Sequence, residues 1–288
     1  MSGGDLLSLI ARCGNTIEAD MGALGILTSN IENSQTPGFK QQMYSFETIF
    51  AEIDGIGVNS YGVAGGVSLQ MPGLNFSQGG IVDGVPLNVA VNGDALFVVE
   101  DFKQGSYVYK RASDFYFTQN GNLVDGLGRK AMGYQMTGQG TVDKSTLTYI
   151  KVDTNKYNLS DVGFEMGGIL MTNYAARKQA IDSKTGNIPS GTALFQIGLT
   201  RFSAPQNLTI NDGNSYRAST SSGAPLAFGV SADPSFGIVY GGKKEASNID
   251  PASLAIESMQ IQRSFNAVQG AVSMVNRILQ DFIKTIAQ

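Results

Sequence analysis

The chain of 288 residues carries 24 acidic against 20 basic side chains and no histidine, a formal net charge of −4. An acidic balance argues against a nucleic-acid-binding surface, and the missing histidine removes the commonest general base, the Ser-His-Asp and Cys-His nucleophile arrangements and most catalytic zinc sites. The lone Cys13 forms no internal disulfide, and 36 glycines beside only 15% charged residues point to turn-dense β structure and surfaces built to be covered.

At the N-terminus no basic region precedes the short apolar stretch 6–11, which Arg12 stops, so an ordinary cleaved signal peptide is not expected. No apolar run reaches the ~18 residues of a membrane span. Leu6, Ile10, Cys13, Ile17, Asp20, Leu24, Leu27 and Ile31 step by four and three, the 3.5-residue seam of a coiled coil, with Asp20 the one polar member. Charges between positions 5 and 34 are Asp5, Arg12, Glu18, Asp20 and Glu32, a net of −3.

The middle of the chain reads as β structure. Val89, Val91 and 96–99 flank Asn92-Gly93, a favoured hairpin dipeptide, because both turn positions must tolerate positive φ. Tyr107, Tyr109 and Arg111 alternate, Phe115 and Phe117 follow, and turns are expected at Asn120-Gly121 and Asp125-Gly126. Further strands are expected within 147–152, 193–202 and 236–240, with extended or loop connections at 55–66 and 213–223.

The C-terminal end repeats the helical seam more strongly through Leu254, Ser258, Ile261, Phe265, Val268, Val272, Val275, Leu279, Phe282 and Ile286. Asp250-Pro251 is a start signal, with a side-chain acceptor at the N-cap and proline at the first helical position. The 37 residues from Pro251 to Ala287 would make a helix of about 55 Å. Both terminal helices exceed the usual length. Their outer faces hold Gly14, Gly22, Gly25 and Gly270 among small neutral residues, where a solvated face is normally charged. This favours burial between molecules over an ordinary core helix. The fold expected is α+β: long N- and C-terminal helices pairing as a coiled coil, and a central antiparallel β domain.

A search for chemistry finds no catalytic, metal or cofactor site. The acids are scattered without a desolvated pair. Gly62-Val63-Ala64-Gly65-Gly66 lacks the Gly-Lys-Ser/Thr ending of a phosphate loop. Asn207-Leu208-Thr209 fits a glycosylation sequon that arises readily by chance. Tyr107, Tyr109, Phe115 and Phe117 suit a sheet core better than base stacking on an acidic chain, and Cys13 reads as a small buried hydrophobe.

Three separated motifs resemble the axial proteins of the bacterial flagellum, the family of rod and hook subunits. Ser29-Asn30-Ile31-Glu32-Asn33-Ser34-Gln35-Thr36-Pro37-Gly38-Phe39-Lys40 is similar to the family's N-N-I-A-N-x-x-T-P-G-F-K signature, departing at Ser29 and Glu32. Tyr109, Arg111, Phe115, Gly121, Leu123, Val124, Gly128 and Gly133 match the Y-x-R-x-G-x-F…G-x-L-V…G-x-x-x-x-G block, with Ser113 where glycine is usual. Ala246-Ser247-Asn248-Ile249-Asp250 and Gln262-Arg263-Ser264-Phe265 resemble S-N-V-D and Q-R-A-Y, while Ser258 and Val268 replace a common methionine and asparagine.

The resemblance implies that 1–34 and 248–288 form the helices of an inner-tube domain, with 35–67 a connecting segment that influences stiffness and 68–247 a β-rich outer domain. It implies self-assembly through Ile10, Ile17, Leu24, Leu27 and Ile31 against Ile261, Phe265, Val268, Val272, Val275, Leu279 and Phe282. Implied partners are further copies in a helical homopolymer, adjacent rod and hook proteins, the flagellar type III export apparatus and surrounding bushing rings, without nucleic acid or membrane insertion. Thr36-Pro37-Gly38-Phe39 looks more like rod than hook subunits, which often carry tyrosine before that glycine. A periplasmic basal-body rod protein is therefore expected, exported without a cleaved signal, with a short extracellular hook protein as the alternative. A binding module or enzyme with helical oligomerisation ends, or a tail-tube or adhesin subunit, are the competing classes.

Overall fold

A computed structural model describes residues 3–51, 63–101, 105–137, 140–184, 187–231 and 233–286. The helices are α1 (Gly3–Glu32), α2 (Tyr174–Asp182) and α3 (Pro251–Ile286). The strands begin with β1 (Gln42–Ala51), β2 (Val63–Leu74), β3 (Ile81–Asp83), β4 (Asn88–Asn92), β5 (Leu96–Asp101), β6 (Ser106–Lys110), β7 (Ala112–Asp114), β8 (Tyr116–Phe117), β9 (Leu123–Val124) and β10 (Lys130–Gln135). After them come β11 (Thr148–Tyr149), β12 (Val162–Glu165), β13 (Ile169–Thr172), β14 (Ala193–Ile197), β15 (Leu199–Thr200), β16 (Thr209–Asp212), β17 (Ser215–Arg217), β18 (Phe228–Gly229), β19 (Ile238–Gly241) and β20 (Lys243–Glu245). The mixture of helix and antiparallel sheet, with a long helix at each end, matches the expected α+β class.

The chain divides into two compact units, one of Met1–Glu32, Gln42–Gly73 and Asp250–Gln288, the other of Asn33–Gln41 and Leu74–Ile249. Within the first, α1 packs on α3 and on β1, which pairs with β2 as a two-stranded ribbon. Residues 42–51 and 63–73 thus belong with the helices and form regular β structure, where 35–67 was expected as a connecting segment and 68–73 as part of the outer β domain; 52–62 lie outside the described residues. Asp250 caps α3 as its sequence requires: Oδ1 accepts from the Ala252 N–H at 3.1 Å and Oδ2 from Ser253 Oγ at 2.6 Å.

The ribbon changes the reading of the small residues on α1. A Cβ on Gly22 would sit 2.7 Å from Leu69 Cδ2, and one on Gly66 of the ribbon 3.3 Å from the Arg12 carbonyl oxygen. Gly22 and Asn30 of α1 therefore face the chain's own β ribbon rather than being left for a neighbour. Gly14, Gly25 and Gly270 do face open space.

In the second unit the main sheet runs β12-β13-β14-β10-β5-β6-β17-β16, flanked by β19-β4-β7 and β20-β3. Alternation along β5 explains its central place: Phe97 and Val99 enter one apolar cluster with Val89, Val91, Phe115 and Leu123, while Leu96 and Val98 enter another with Tyr109, Phe202 and Tyr216. A strand buried on both faces reads as the continuous apolar run seen at 96–99.

Two expectations are corrected here. Asn92-Gly93 does not close a hairpin, because β4 pairs with β7 and β19 whereas β5 pairs with β6, β10 and β15. Gly93, at φ 137, instead carries the chain from one sheet to another. Segment 213–223 is also not wholly a connection, since β16 and β17 form a hairpin about Gly213. The turn at Asn120-Gly121 does form, joining β8 to β9 with Gly121 at φ 77, and the next turn leads from β9 into β10. Tyr109 and Phe115 are buried as expected, but Tyr107 is on the surface, edge-on to the Phe228 ring.

Candidate functional site

The motif residues gather into two places, one in each unit. In the first unit, seam residues Leu27, Ile261 and Val275 are buried, and Ile17, Leu24, Phe265, Val268, Val272 and Leu279 are half-buried. Ile10 and Ile31 are exposed, and the side chain of Phe282 lies outside the described residues. Cys13 and Asp20 are buried on the same seam, and Asp20 Oδ2 has no hydrogen-bond partner among the described residues. Gln262 and Arg263 point to solvent.

Asn30 is the signature residue that joins helix to ribbon. Its side chain is fully buried, with Nδ2 donating to the Gln42 carbonyl and Oδ1 accepting from the Gln42 N–H, both at 2.9 Å. A primary amide satisfies a peptide's donor and acceptor together, which explains asparagine here. Further along, Tyr44 donates to Glu257 at 3.1 Å, and burial followed by the Glu257 charge pushes its phenol up to about 12.

In the second unit, Thr36-Pro37-Gly38-Phe39 is a β-turn: the Phe39 N–H donates to the Thr36 carbonyl at 3.2 Å, proline stands second and Gly38 third at φ 73. Proline then positive-φ glycine is the type II pattern. Thr36 Oγ1 bonds Asn33 Oδ1 at 3.2 Å, and the buried Tyr216 hydroxyl donates to the Gly38 carbonyl at 2.9 Å. A Cβ on Gly38 would lie 2.6 Å from the Ala112 nitrogen, so glycine is required for space as well as for φ.

That turn delivers Lys40 into a buried ionic clasp. Lys40 Nζ lies 2.7 Å from Glu245 Oε1 and donates to the Ser77 carbonyl at 2.6 Å. Arg111 Nε donates to Glu245 Oε2 at 2.7 Å, and its other nitrogens reach the Ala95 carbonyl at 2.6 Å and Gln78 Oε1 at 2.7 Å. The Gly79 N–H adds a third donor to Glu245 at 2.8 Å. Burial holds the Lys40 ammonium below its ordinary pKa, with Glu245 opposing that shift and Arg111 adding to it. Asn248 closes the clasp, accepting from the Gln41 N–H at 2.9 Å and donating to the Asn75 carbonyl at 2.7 Å. Ser247 Oγ is buried beside it without a partner among the described residues.

All three resemblance motifs thus contribute to one structural feature: Lys40 from the first, Arg111 from the second and Asn248 from the third. Glu245, Gln78 and Tyr216 were not singled out from sequence. Glu245 had no signal along the chain, because only folding brings it against Lys40 and Arg111. The arrangement positions backbone and offers no reacting group: every Glu245 oxygen is engaged by fixed donors. Among the described residues no cluster of three or more His, Cys, Asp or Glu is placed to hold a metal, and no helix is long and apolar enough to cross a membrane.

No protein-family model matches the chain. Curated relatives do. The chain is 27% identical over 270 residues to the flagellar basal-body rod protein FlgG of Bacillus subtilis, covering 90% of this chain and 92% of that protein. It is 23% identical over 269 residues to FlgG of Agrobacterium fabrum, covering 89% and 90%. Against the flagellar hook protein FlgE of Helicobacter pylori it is 29% identical over 168 residues, 54% of this chain but 23% of that protein. The resemblance drawn from the three motifs is therefore met by relatives named as flagellar rod and hook proteins, at modest identity over most of the chain.

Proposed function

We propose that this chain is a structural subunit of the bacterial flagellar rod, which self-assembles through its terminal helices into a tubular shaft that transmits torque and encloses an export channel. The observation that carries this reading is the end-to-end match to rod proteins, which spans 90% of the chain and 92% of the Bacillus relative. The hook protein named above is matched over only 23% of its length. That leaves most of a hook subunit without a counterpart and favours the rod.

Assembly is assigned to α1 and α3. Their seam residues would pair as a coiled coil, and the exposed apolar side chains would be covered by neighbouring copies. Met21 is 62% exposed, Ile256 59%, Met274 57% and Ile283 62%, the side chains such neighbours would cover. Each large side chain buried contributes ~1.5–3 kcal/mol before ordering entropy. The reading also brings export through the flagellar type III apparatus, a periplasmic basal-body location and contacts with adjacent rod and hook proteins, and it leaves no chemistry for the chain to perform.

Sedimentation of the full chain over a concentration series, with circular dichroism, tests assembly. The wild type is expected to polymerise above a threshold concentration. Phe265→Asp is expected to stay small at every concentration while keeping the near-ultraviolet spectrum of its β domain. Normal polymerisation of Phe265→Asp would show the seam to be misassigned. The hook alternative rests on the 168-residue match to FlgE; immunogold labelling of isolated hook–basal bodies separates the two, the rod reading requiring gold on the basal body.

A further inference from the structure

Asp20 is the one polar member of the α1 seam, and the fold buries it: 4% of its surface is exposed, and Oδ2 has no hydrogen-bond partner among the described residues. The chain treats its other buried acids differently. Glu245 receives Lys40, Arg111 and the Gly79 N–H, and Asp125 receives Lys110 and Arg129. A carboxyl group taken from water without donors loses its hydration and gains nothing in exchange, in either protonation state.

The elements packed on α1 supply no partner. Two ties set the helices antiparallel. Tyr44, just past the Asn30–Gln42 bonds at the end of α1, bonds Glu257 near the start of α3, whereas Ile17 shares an open groove of about 590 Å³ with Val272 further along. Asp20, one helical turn from Ile17, therefore falls level with the seam positions Val268 and Val272, whose side chains hold no donor. The cations of α3, Arg263, Arg277 and Lys284, are exposed. Residues 42–51 and 63–73 of the ribbon contain no lysine or arginine. Arg12, the one cation of α1, stands eight residues away, about 12 Å along the axis. A polar seam residue specifies register when a polar partner meets it across the seam; level with valine, Asp20 only weakens the pairing.

We propose that Asp20 is a built-in brake on the pairing of α1 with α3 in the free chain. It keeps the two helices in exchange with an opened state, in which the apolar seam is offered to a surface other than its own partner helix. The seam is already parted close to Asp20, at the groove beside Ile17, where the polar Gln269, Ser273 and Asn276 of α3 stand around Val272. The brake acts inside one chain, so it stands or falls separately from the rod reading.

Amide hydrogen exchange of the dilute full chain tests the brake. It is read in α3, because a substitution on α1 reaches α3 only through pairing. Asp20→Leu is expected to slow exchange in the central turns of α3 roughly tenfold or more, the worth of one buried unpaired polar group. Asp20→Ala is expected to act in the same direction but less, since it removes the carboxyl and leaves a gap. Glu18→Ala removes an exposed acid from the same helix and is expected to leave α3 unchanged. Near-ultraviolet circular dichroism confirms that all three variants are folded. The proposal is overturned if neither Asp20 variant slows exchange in α3, or if Glu18→Ala slows it as much. A gain that appears only as the chain is concentrated also overturns it, because the pairing would then lie between copies.

Discussion

Lys40 Nζ and Glu245 Oε1 stand 2.7 Å apart with both side chains wholly buried, joining positions separated by 205 residues. The turn after α1 and the strand before α3 are thereby locked to the same β domain. Arg111 shares the carboxylate, so the clasp holds two cations against one anion and depends on that anion.

Removing the anion should therefore be the most damaging single change. Glu245→Gln leaves Lys40 and Arg111 buried without a counter-charge, and is expected to destabilise the second unit by about 3–5 kcal/mol. Urea unfolding followed by near-ultraviolet circular dichroism measures it. A loss below ~1 kcal/mol, the worth of a surface pair, would mean that the clasp is hydrated in solution.

Acid should unfold the second unit through Asp125 and Asp212. Burial alone would raise the Asp125 carboxyl, but the Arg129 hydrogen bond and the Lys110 and Arg129 charges outweigh it and leave it below its ordinary 3.8. Asp212 is likewise lowered, with burial opposed by Ser215 and Arg129. A carboxyl whose folded pKa lies below the unfolded one stabilises the fold above 3.8, and that stability is lost as pH falls through the depressed value. The urea midpoint is expected to be flat in this respect above about pH 5 and to drop below about pH 4. Asp125→Asn should lower the neutral midpoint and flatten the acid slope; an unchanged slope would assign it to other groups.

Gly38→Ala tests the turn. Positive φ strains any residue with a Cβ by ~1–3 kcal/mol, and here the added carbon also meets the Ala112 backbone nitrogen at 2.6 Å. Stability should fall by at least that strain, measured by the same unfolding. A variant as stable as the wild type would show that the turn relaxes to negative φ.

Asn30→Ala separates helix propensity from the ribbon contact. Alanine favours the helix, yet it leaves the Gln42 N–H and carbonyl without the two bonds that Asn30 provides. Losing them is expected to cost about 1–3 kcal/mol and to speed hydrogen exchange in β1 while α1 keeps its protection. Unchanged exchange in β1 would show that the ribbon is held by other contacts.

The terminal helices could be read directly, because a 3.5-residue apolar period and an Asp-Pro start are local properties of the chain. The 30-residue α1 and the 36-residue α3 follow those signals closely. Turn chemistry was legible for the same reason at Asn120-Gly121, with Gly121 at φ 77, and at Asp125-Gly126, where the Gly128 N–H closes the turn on the Asp125 carbonyl. The motif residues Lys40, Arg111 and Asn248 were found as a pattern, though their meeting was not.

Partner choice was settled at long range. Asn92-Gly93 has the composition of a hairpin, but the hydrogen bonds of β4 and β5 are taken by other strands, so the dipeptide turns between sheets. Gly22 looked like a surface for neighbours until Leu69 came to rest against it. Glu245 carries no motif at all, and its importance comes from the two cations that folding brings to it. Periodicity and caps depend on residues a few positions apart and can be read along the chain; strand pairing, face coverage and buried ion pairs depend on which distant segments share a core, and only the folded arrangement of this chain decides them.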